Sequence, residues 1–512
     1  MKKVISILLC VGIIFSLCAC SVTQSDNDFV AGVYGTVSSF DPIYAESDVE
    51  KIIAHNCFEG LLRFDETGNI CLAGATAYTI DNDGIVYTFR LNPNACWNIT
   101  SACEKIIKKK NISIEKSITA EDYAYGIERL MSSDKKELEN IKSVKAIDKL
   151  TLEITLKKAD YDFLYKLAAL PVFPCNKAFC ESVEDYGSNY EEMLYNGPYY
   201  VKRSDTTETV IEKNEIYNGN VQVQNKKVLL YTTGTQENML RRFKDGKYNV
   251  LVADSNTVIK GTNANATCNN AVWGIAFNCN TEEGTIKELR ELLLSAIDIK
   301  GIELPYYATA KANCIVPENF ISGDKKYNEY AHEGISYEKN IENANMQLET
   351  VLKSLNKNSC EISLYVPKEL KTAGESIIAQ WSKAFGNKIK AKLSTFEVKE
   401  SEEIAKNGKY TVAILPLMPS CKTASGILSS VENAPCYYKN LNTLDGTQEQ
   451  SNVAKEKVSV YSQVEKEIAQ SGIFTPLFYT GTRLYYKNDT DGIYLADGGS
   501  IVYFHKGVQS DE

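Results

Sequence analysis

Histidine is the side chain best suited to acid–base and nucleophilic chemistry near neutral pH, and this 512-residue chain contains only three. They are His55, His332 and His505, which lie far apart in the sequence. The chain has no nucleophile elbow (G-x-S-x-G), zinc-protease motif (H-E-x-x-H), phosphate-binding loop (G-x-x-x-x-G-K-S/T), dinucleotide motif (G-x-G-x-x-G) or calcium-loop pattern. We therefore expect no enzymatic activity, no cofactor and no catalytic metal.

Cysteine is abundant, with 15 residues, 12 of them after Cys20. Three pairs close in sequence could form disulfides in an exported protein. These pairs are Cys96/Cys103, Cys175/Cys180 and Cys268/Cys279. Against this, a chain of this length does not need covalent cross-links, and an anaerobic source would leave the thiols free. Both alternatives stay open, but the absence of C-x-x-C and the scarcity of histidine argue against a zinc site.

The composition is that of a globular protein, with 44% hydrophobic and 24% charged residues and a net charge of −10. The length corresponds to two to four domains of roughly 100–200 residues. The negative charge argues against nucleic acid as a partner. A lysine-rich insertion at 103–116 holds the one basic cluster, which we expect to be a solvated loop.

The N-terminus has the pattern of a secretory signal. Lys2 and Lys3 precede a 13-residue apolar run at 4–16, which is too short for a membrane span of ~20 residues. The sequence Leu-Cys-Ala-Cys at 17–20 resembles the bacterial lipobox, in which the signal is removed before the cysteine and the thiol is acylated. We therefore expect a lipid anchor on Cys20 and a protein that faces the outside of the cell. The alternatives are an uncleaved anchor and ordinary signal cleavage.

Hydrophobic periodicity predicts a hairpin-rich region followed by alternating strands and helices after residue 280, which indicates an α/β fold with a mixed or parallel sheet. Strands are expected at 30–34, 85–91, 145–156, 199–201, 210–211, 228–230, 272–277, 361–366, 389–393 and 411–415. Helices are expected at 47–63, from 119, and at 286–297, 341–355, 373–385 and 453–469.

Many short motifs in this chain occur in the order seen in one family. They are Ser39-Phe40-Asp41-Pro42, Cys57 to Leu62, Asn82 to Leu91, Trp97, Thr119 to Tyr123, Asn196 to Tyr199, Tyr217, Leu289 to Asp298 and Thr475 to Tyr479. Together they resemble the peptide-binding family of extracellular solute-binding proteins that supply ABC importers. Departures are the lysine-rich insertion and Asn214 to Tyr217, where the family has Asn-Pro-x-Tyr.

The resemblance implies a two-lobed periplasmic-binding-protein-like α/β fold with mixed sheets, an extra subdomain and a hinged ligand cleft. The implied division starts with a signal peptide at 1–19 and a lipidated tether at 20–29. Lobe I would combine 30–58, 185–268 and 475–512, the accessory subdomain would be 59–184, and lobe II would be 269–474.

The resemblance also implies candidate ligand-binding residues. Peptide binders have a tryptophan where this chain has Leu417, and an aspartate that receives the peptide's amino terminus where this chain has Ser420. Met418, between them, is also a candidate. Glu46 stands where the family presents an acidic residue. The remaining candidates are Tyr34, Tyr44 and Trp273, although a tryptophan is equally often part of a core.

From this resemblance we expect a lipid-anchored, monomeric substrate-binding protein that delivers a small peptide or related solute to ABC permease subunits. One alternative is a ligand-sensing lipoprotein that contacts a signalling receptor. Another is a lipid-anchored hydrolase, which a cleft without a paired base and nucleophile would exclude.

Overall fold

The structure is a computed structural model. It describes residues 29–133, 138–232, 234–254, 257, 259, 262–322, 325–327, 343–419, 421–432, 454–487, 490–499, 501–506 and 508–509. Its strands, in chain order, are β1 (Phe29–Val33), β2 (Leu62–Phe64), β3 (Ile70–Leu72), β4 (Ala75–Ile80), β5 (Val86–Leu91), β6 (Ile141–Asp148), β7 (Thr151–Leu156), β8 (Tyr199–Ser204), β9 (Glu208–Lys213), β10 (Lys227–Tyr231), β11 (Val250–Ala253), β12 (Ala266–Phe277), β13 (Ala310–Lys311), β14 (Ile321–Ser322), β15 (Lys325–Lys326), β16 (Cys360–Pro367), β17 (Ile389–Phe396), β18 (Val412–Leu417), β19 (Phe474–Tyr486), β20 (Thr490–Asp491), β21 (Tyr494–Ala496), β22 (Ile501–Tyr503) and β23 (Val508–Gln509).

The α-helices begin at capping residues that the sequence provides. Ser47 and Thr119 each accept a hydrogen bond from the backbone three residues later, in capping boxes completed by Glu50 and Asp122. The helices are α1 (Asp48–Cys57), α2 (Ser101–Lys110), α3 (Ala120–Met131), α4 (Phe163–Ala169), α5 (Lys177–Ser182), α6 (Gln236–Lys244), α7 (Glu282–Thr285), α8 (Lys287–Ser295), α9 (Ala344–Ser354), α10 (Lys371–Phe385), α11 (Ser401–Asn407), α12 (Ala424–Glu432) and α13 (Ala454–Gln470).

One large mixed sheet runs through the protein in the strand order β17-β16-β18-β12-β19-β11-β1-β10-β9-β8. Strand β1 is parallel to both of its neighbours, and β16 is parallel to β17 and β18. The long strands β12 and β19 pair antiparallel at the centre, and the far end of β19 pairs with β11. These two strands therefore connect the two halves of the sheet.

Each half of the sheet is buried on both faces, as expected for an α/β layer structure. On the β1 side, α1 packs on one face through Ile52 and Ile53, and α6 packs on the other through Met239. On the β16 side, Trp381 of α10 lies in one core and Ile427 of α12 lies in the other. The two halves are separate lobes, each with its own core.

A third body contains the antiparallel sheet β4-β5-β7-β6 together with α2, α3 and α4. Its core surrounds Trp97 and Tyr123 and also includes Ile321 and Cys421 from the β16 side of the protein. This body therefore packs against both lobes. The domain boundaries given above stay a prediction.

Most of the predicted strands and helices are present in the structure, but the helix expected at 47–63 ends at Cys57, and β2 begins at Leu62. The interpretation of the lysine cluster was also wrong. The residues expected to form a solvated loop form α2, because Thr100 accepts a hydrogen bond from the backbone of Cys103 and caps its N-terminus. Lys108, Lys109 and Lys110 occupy its last turn, where positive charge favours a helix.

The 11 cysteines within the described residues are all free. Cys268 and Cys279 are separated by the extended β12, about 3.3 Å per residue, so their Cα atoms are on the order of 30 Å apart and cannot be bridged. Cys96 and Cys103 donate to carbonyl groups of separate segments, at Ile216 and at Glu191 and Met193. Cys436 lies outside the described residues.

Candidate ligand-binding cleft

The segment between β1 and α1 is held in shape by a buried carboxylate. One oxygen of Glu50 accepts hydrogen bonds from the backbone and hydroxyl of Ser38, both at 2.6 Å, and from the backbone of Ser39 at 3.0 Å. The other oxygen accepts from the backbones of Glu46 and Ser47 at 3.0 and 2.9 Å. Burial by itself would raise the pKa of Glu50, but these hydrogen bonds outweigh it and lower the pKa to about 2.

A second anchor ties the same segment to the accessory body. The carboxylate of Asp41, 1% exposed, forms an ion pair with Arg129 of α3, with Oδ2 and Nη2 2.6 Å apart. Asp41 also accepts from the backbone of Ile43 and starts a single 3-10 turn at Pro42–Tyr44. The segment is thus fixed at both of its ends.

This rigid segment carries three of the predicted site residues on its surface. Tyr34 and Tyr44 are 53% and 56% exposed, although aromatic side chains usually pack inside. Glu46 is exposed beside them. The structure therefore presents Tyr34, Tyr44 and Glu46 to solvent on the side of the first lobe.

On the second lobe, the predicted residues divide between core and surface. Leu417 ends β18 opposite Val272 of β12 and is 4% exposed, whereas Met418, the next residue, is 58% exposed. Ser420 lies outside the described residues. Of this segment, Met418 is the predicted residue that the structure places at the surface.

Trp273 lies in the core of the second lobe. Its ring stacks on Phe478, with the ring centroids 5.8 Å apart and the planes 8° from parallel, and it also contacts Tyr307. Trp273 is 4% exposed, so neither this ring nor Leu417 offers a surface to a ligand in this conformation.

The connection between the lobes contains an irregularity in the strand pairing. The register of β12 and β19 shifts between Asn269 and Ala271, which is a β-bulge. Asn319 closes it by accepting from the backbone N–H of Asn269 and donating to its carbonyl, at 3.2 and 2.9 Å. Opposite the bulge, a Cβ on Gly481 would lie 2.0 Å from the carbonyl oxygen of Cys268. The backbones therefore approach here more closely than any other residue type allows.

A cavity of about 340 Å³ lies beside this connection. Its walls come from the accessory body, both lobes and the C-terminal strands. The lining residues are Glu66, Thr67, Gly68, Tyr165, Ala266, Thr267, Cys268, Asn319, Ile321, Lys326, Lys422, Ile493, Tyr494, Leu495, Ala496 and Asp497. Segments distant in sequence thus converge on one partly open cavity with both polar and apolar walls.

Charged groups from the two lobes face each other next to this cavity. Asp48, in the first turn of α1, is solvent-accessible yet closely surrounded by protein, and this burial raises its pKa, with Lys51 and Lys422 opposing the rise. Burial also lowers the pKa of Lys422, which Asp497 and Asp48 oppose. The start of α1 therefore lies within electrostatic range of the segment after β18.

The two histidines in the described part of the chain lie in buried positions. His55 and His505 are buried, and burial lowers their pKa values to about 4 and about 3, so both are neutral at pH 7. His332 lies outside the described residues. Within the described ranges, no three histidine, cysteine or carboxylate side chains are grouped as metal ligands.

The sequence reasoning missed Asp48, Lys326, Lys422 and Asp497. Lys422 follows Ser420 by two residues, so the family resemblance had located the right segment. Lys326 and Asp497 carry no local signal, because only the folded chain brings them to the cavity.

The two lobes, the crossing strands and the cleft define a two-lobed solute-binding protein. The model of the bacterial extracellular solute-binding proteins, family 5, matches residues 72–434, and the chain belongs to this family. The predicted family and fold class are both confirmed.

Individual proteins extend this similarity. The oligopeptide-binding protein AliB of Streptococcus pneumoniae is 28% identical over 272 residues, which span 47% of this chain and 39% of AliB. The unliganded open form of the murein tripeptide-binding protein MppA has a TM-score of 0.75 at 20% identity and covers 96% of this chain and 98% of that one. Listeria monocytogenes OppA bound to peptide has a TM-score of 0.60 at 21% identity, covering 96% of this chain and all of that one, 100%.

Proposed function

We propose that this protein is the substrate-binding subunit of an ABC importer and binds a peptide or peptide-like solute between its lobes. The observation that carries the proposal is the approach of the two lobes: Asp48, at the start of α1, interacts electrostatically with Lys422, which follows β18, and two long strands connect the lobes. The name of AliB as an oligopeptide-binding protein and the structure of OppA bound to peptide support a peptide as the ligand.

The mechanism is non-covalent. In this mechanism the ligand contacts Tyr34, Tyr44 and Glu46 on one lobe and Met418 and Ser420 on the other. Such a ligand binds the closed arrangement more tightly than the open one, so binding shifts the population towards closure. Trp273 and Leu417 support the second wall from behind. The permease subunits then recognise the closed form.

The proposal includes the division into lobe I, accessory subdomain and lobe II, and a lipid anchor on Cys20. Cys20 lies outside the described residues, and among the residues that are described no helix combines the length and hydrophobicity needed to span a bilayer. Replacement by Cys20→Ser removes the acylated thiol, so the protein should appear in the medium or as an unprocessed precursor. A wild-type protein whose mature N-terminus carries no lipid would contradict the anchor.

The test of ligand binding is mass spectrometry of small molecules that co-purify with the detergent-extracted protein, followed by calorimetry with the molecules found. We expect peptides that are released on denaturation and rebind with one-to-one stoichiometry. Recovery of a single non-peptidic solute that rebinds, with no peptide bound, would overturn the assignment. Co-purification of a sensor kinase in place of permease subunits would favour the ligand-sensing alternative.

A further inference from the structure

Two buried thiols lie beside the ion pair that anchors the segment between β1 and α1. Cys175 and Cys180, 6% and 8% exposed, occupy the positions on either side of the first turn of α5 whose side chains meet in a hydrophobic staple. Each thiol is the hydrogen-bond partner of the other. A sulfur–sulfur bond between them therefore requires only a small approach of the two side chains.

Arg129 of α3 connects this thiol pair to the segment that carries the predicted site residues. Its Nη2 atom lies 2.6 Å from Oδ2 of Asp41 in the ion pair. Its Nη1 atom donates to Oδ1 of Asp41 at 3.4 Å and to the sulfur of Cys175 at 3.6 Å. One N–H donor group is thus shared between the carboxylate that anchors the segment and a thiol.

The loop that follows α5 contacts the same anchor. The ring of Tyr186 packs against the guanidinium of Arg129, 5.2 Å from the ring centroid, and its hydroxyl accepts a hydrogen bond from the thiol of Cys175 at 4.0 Å. The next residue, Gly187, accepts a hydrogen bond from the backbone N–H of Phe40 at 2.7 Å. A chemical change at Cys175 therefore reaches the segment through the guanidinium and through this loop.

The surroundings of the two thiols give them different reactivities. The hydrogen bond from Cys175 lowers the pKa of Cys180, burial opposes this shift, and the charge of Arg129 and a hydrogen bond from Tyr125 add to it. The same shared hydrogen bond and burial raise the pKa of Cys175. Because the thiolate is the nucleophile in exchange reactions, Cys180 is the attacking thiol and Cys175 is the second to react.

We propose that Cys175 and Cys180 form a thiol–disulfide modification site whose oxidation strengthens the Arg129–Asp41 anchor and rigidifies residues 40–44. The Cys180 thiolate attacks a low-molecular-weight disulfide, which forms a mixed disulfide and releases one small thiolate. The Cys175 thiolate then attacks the Cys180 sulfur, closes the protein disulfide and releases the second. The protein thiols lose two electrons and two protons, and the small disulfide is reduced to two thiols.

Oxidation strengthens the anchor because it removes an acceptor that competes for Arg129. A disulfide sulfur carries no charge and accepts hydrogen bonds weakly, so the Nη1 donor is left to Asp41. The modification site itself does not depend on the proposed function. Its consequence for a ligand does, because the proposed function assigns Tyr44 and Glu46, at the end of the rigidified residues, to ligand contact.

The experiment measures hydrogen exchange in the detergent-extracted full-length protein, reduced with dithiothreitol or oxidised with oxidised glutathione and then freed of reagent. The amides of Ile43 and Tyr44 donate to Asp41, and we expect the peptide that contains them to exchange about threefold or more slowly after oxidation. Cys180→Ser should exchange at one rate after both treatments. The matched control Cys71→Ser, at a half-buried cysteine of β3, should keep the wild-type difference.

Each result supports or overturns the inference. Failure to detect the disulfide by peptide mapping overturns the modification site, and equal or faster exchange in a protein shown to contain the disulfide overturns its link to the anchor. A redox difference that persists in Cys180→Ser excludes this pair as its cause. The two wild-type samples have the same sequence, so they decide the question even if a variant fails to fold. Peptide binding plays no part in these measurements, so a failure of the proposed function would be seen separately, in the co-purification test.

Discussion

At the residue scale, the most connected polar group of the cleft is Glu50. Its carboxylate accepts hydrogen bonds from four backbone N–H groups and one hydroxyl of the segment 38–47. An ionised carboxylate can accept this many hydrogen bonds because each of its two oxygens has two lone pairs. The exposed side chains that we assign to the ligand, including Tyr44 and Glu46, depend on this buried group for their placement.

We predict that Glu50→Gln lowers the free energy of unfolding by about 1–3 kcal/mol at pH 7, because a glutamine has one acceptor oxygen and leaves buried N–H groups unpaired. The pKa of Glu50 is about 2 in the folded protein and near 4.5 when unfolded. Its stabilisation is therefore complete above pH 4.5 and is lost as the pH falls towards 2. Urea unfolding between pH 7 and pH 3 measures this.

The control for this experiment is Glu46→Gln, which changes an exposed carboxylate of the same segment. It should alter stability by less than about 0.5 kcal/mol. A difference between wild type and Glu50→Gln that stays constant down to pH 3 would show that the charge of Glu50 is not what holds the segment.

A second prediction at this scale concerns the ligand's amino terminus. Ser420 compensates a buried ammonium far less than a carboxylate would, so a free-amine peptide and its N-acetylated form should differ by less than a hundredfold in affinity, roughly 2.7 kcal/mol. Calorimetry on matched pairs measures the ratio. A larger preference that disappears in Glu46→Gln would identify Glu46 as the partner and refute the inference from Ser420.

At the element scale, the junction of β12 and β19 is the structural element that joins the lobes. Its bulge at 269–271 interrupts the ladder, and Asn319 supplies the missing partners. Bulges increase local twist and bend a strand, which is what a connection between two sheet halves requires.

We predict that Gly481→Ala lowers the free energy of unfolding by about 2 kcal/mol or more, because the added Cβ meets the backbone at 2.0 Å and cannot displace it without breaking the strand pairing. Gly68→Ala is the control: it lies in a turn with φ of +83° and no atom within 4 Å of the new Cβ, so it tests backbone strain alone. Equal losses in the two variants, measured by denaturant unfolding, would show that the close approach is not important.

The capping motif of α5 brings two cysteines together. Asn176 caps this helix, so Cys175 and Cys180 occupy the N′ and N4 positions, whose side chains touch in a hydrophobic staple. Their thiols share a hydrogen bond: it raises the pKa of Cys175 and lowers the pKa of Cys180. Arg129, which also anchors Asp41, donates to the sulfur of Cys175 at 3.6 Å.

We therefore predict that Cys175 and Cys180 form a disulfide under mild oxidation by oxidised glutathione, whose reduction accepts the two electrons released by the thiols. Cys268 and Cys279 should stay unpaired with each other. Differential alkylation and peptide mapping measure both, and Cys180→Ser should abolish the first product. If both thiols remain fully reduced after this treatment, the contact between Cys175 and Cys180 is contradicted.

At the scale of the whole molecule, the separate cores of the two lobes and their connection by two strands allow one lobe to move as a unit against the other. The exposure of Tyr34, Tyr44 and Met418 in this structure leaves apolar surface for a ligand and the opposing lobe to cover.

We predict that a ligand found by co-purification decreases the radius of gyration of the protein, measured by neutron scattering with the detergent contrast-matched. A Lys390→Gln protein, altered at an exposed residue of β17 at the edge of the large sheet, should compact in the same way. Tight binding without compaction would show that the lobes do not close on the ligand.

The amino-acid sequence by itself determined many of the helices and strands, because caps, turns and hydrophobic periods are local properties. It indicated β1, β16 and β18 and the helices around them, and the family motifs added the two-lobed arrangement. It failed for α2, where a run of lysines hides a capped helix whose buried face consists of few residues.

Only the tertiary structure decided which candidate side chains are exposed and can contact a ligand. Leu417 and Met418 are adjacent in sequence, yet one is buried and the other exposed, because alternate residues of a strand point to opposite sides and β18 ends between them. The sequence could not place Lys422 within electrostatic range of Asp48, or Lys326 and Asp497 at the same cavity, since such arrangements depend on how separate lobes and the accessory body pack. Local patterns specify elements, whereas a cleft forms only where those elements leave space between them.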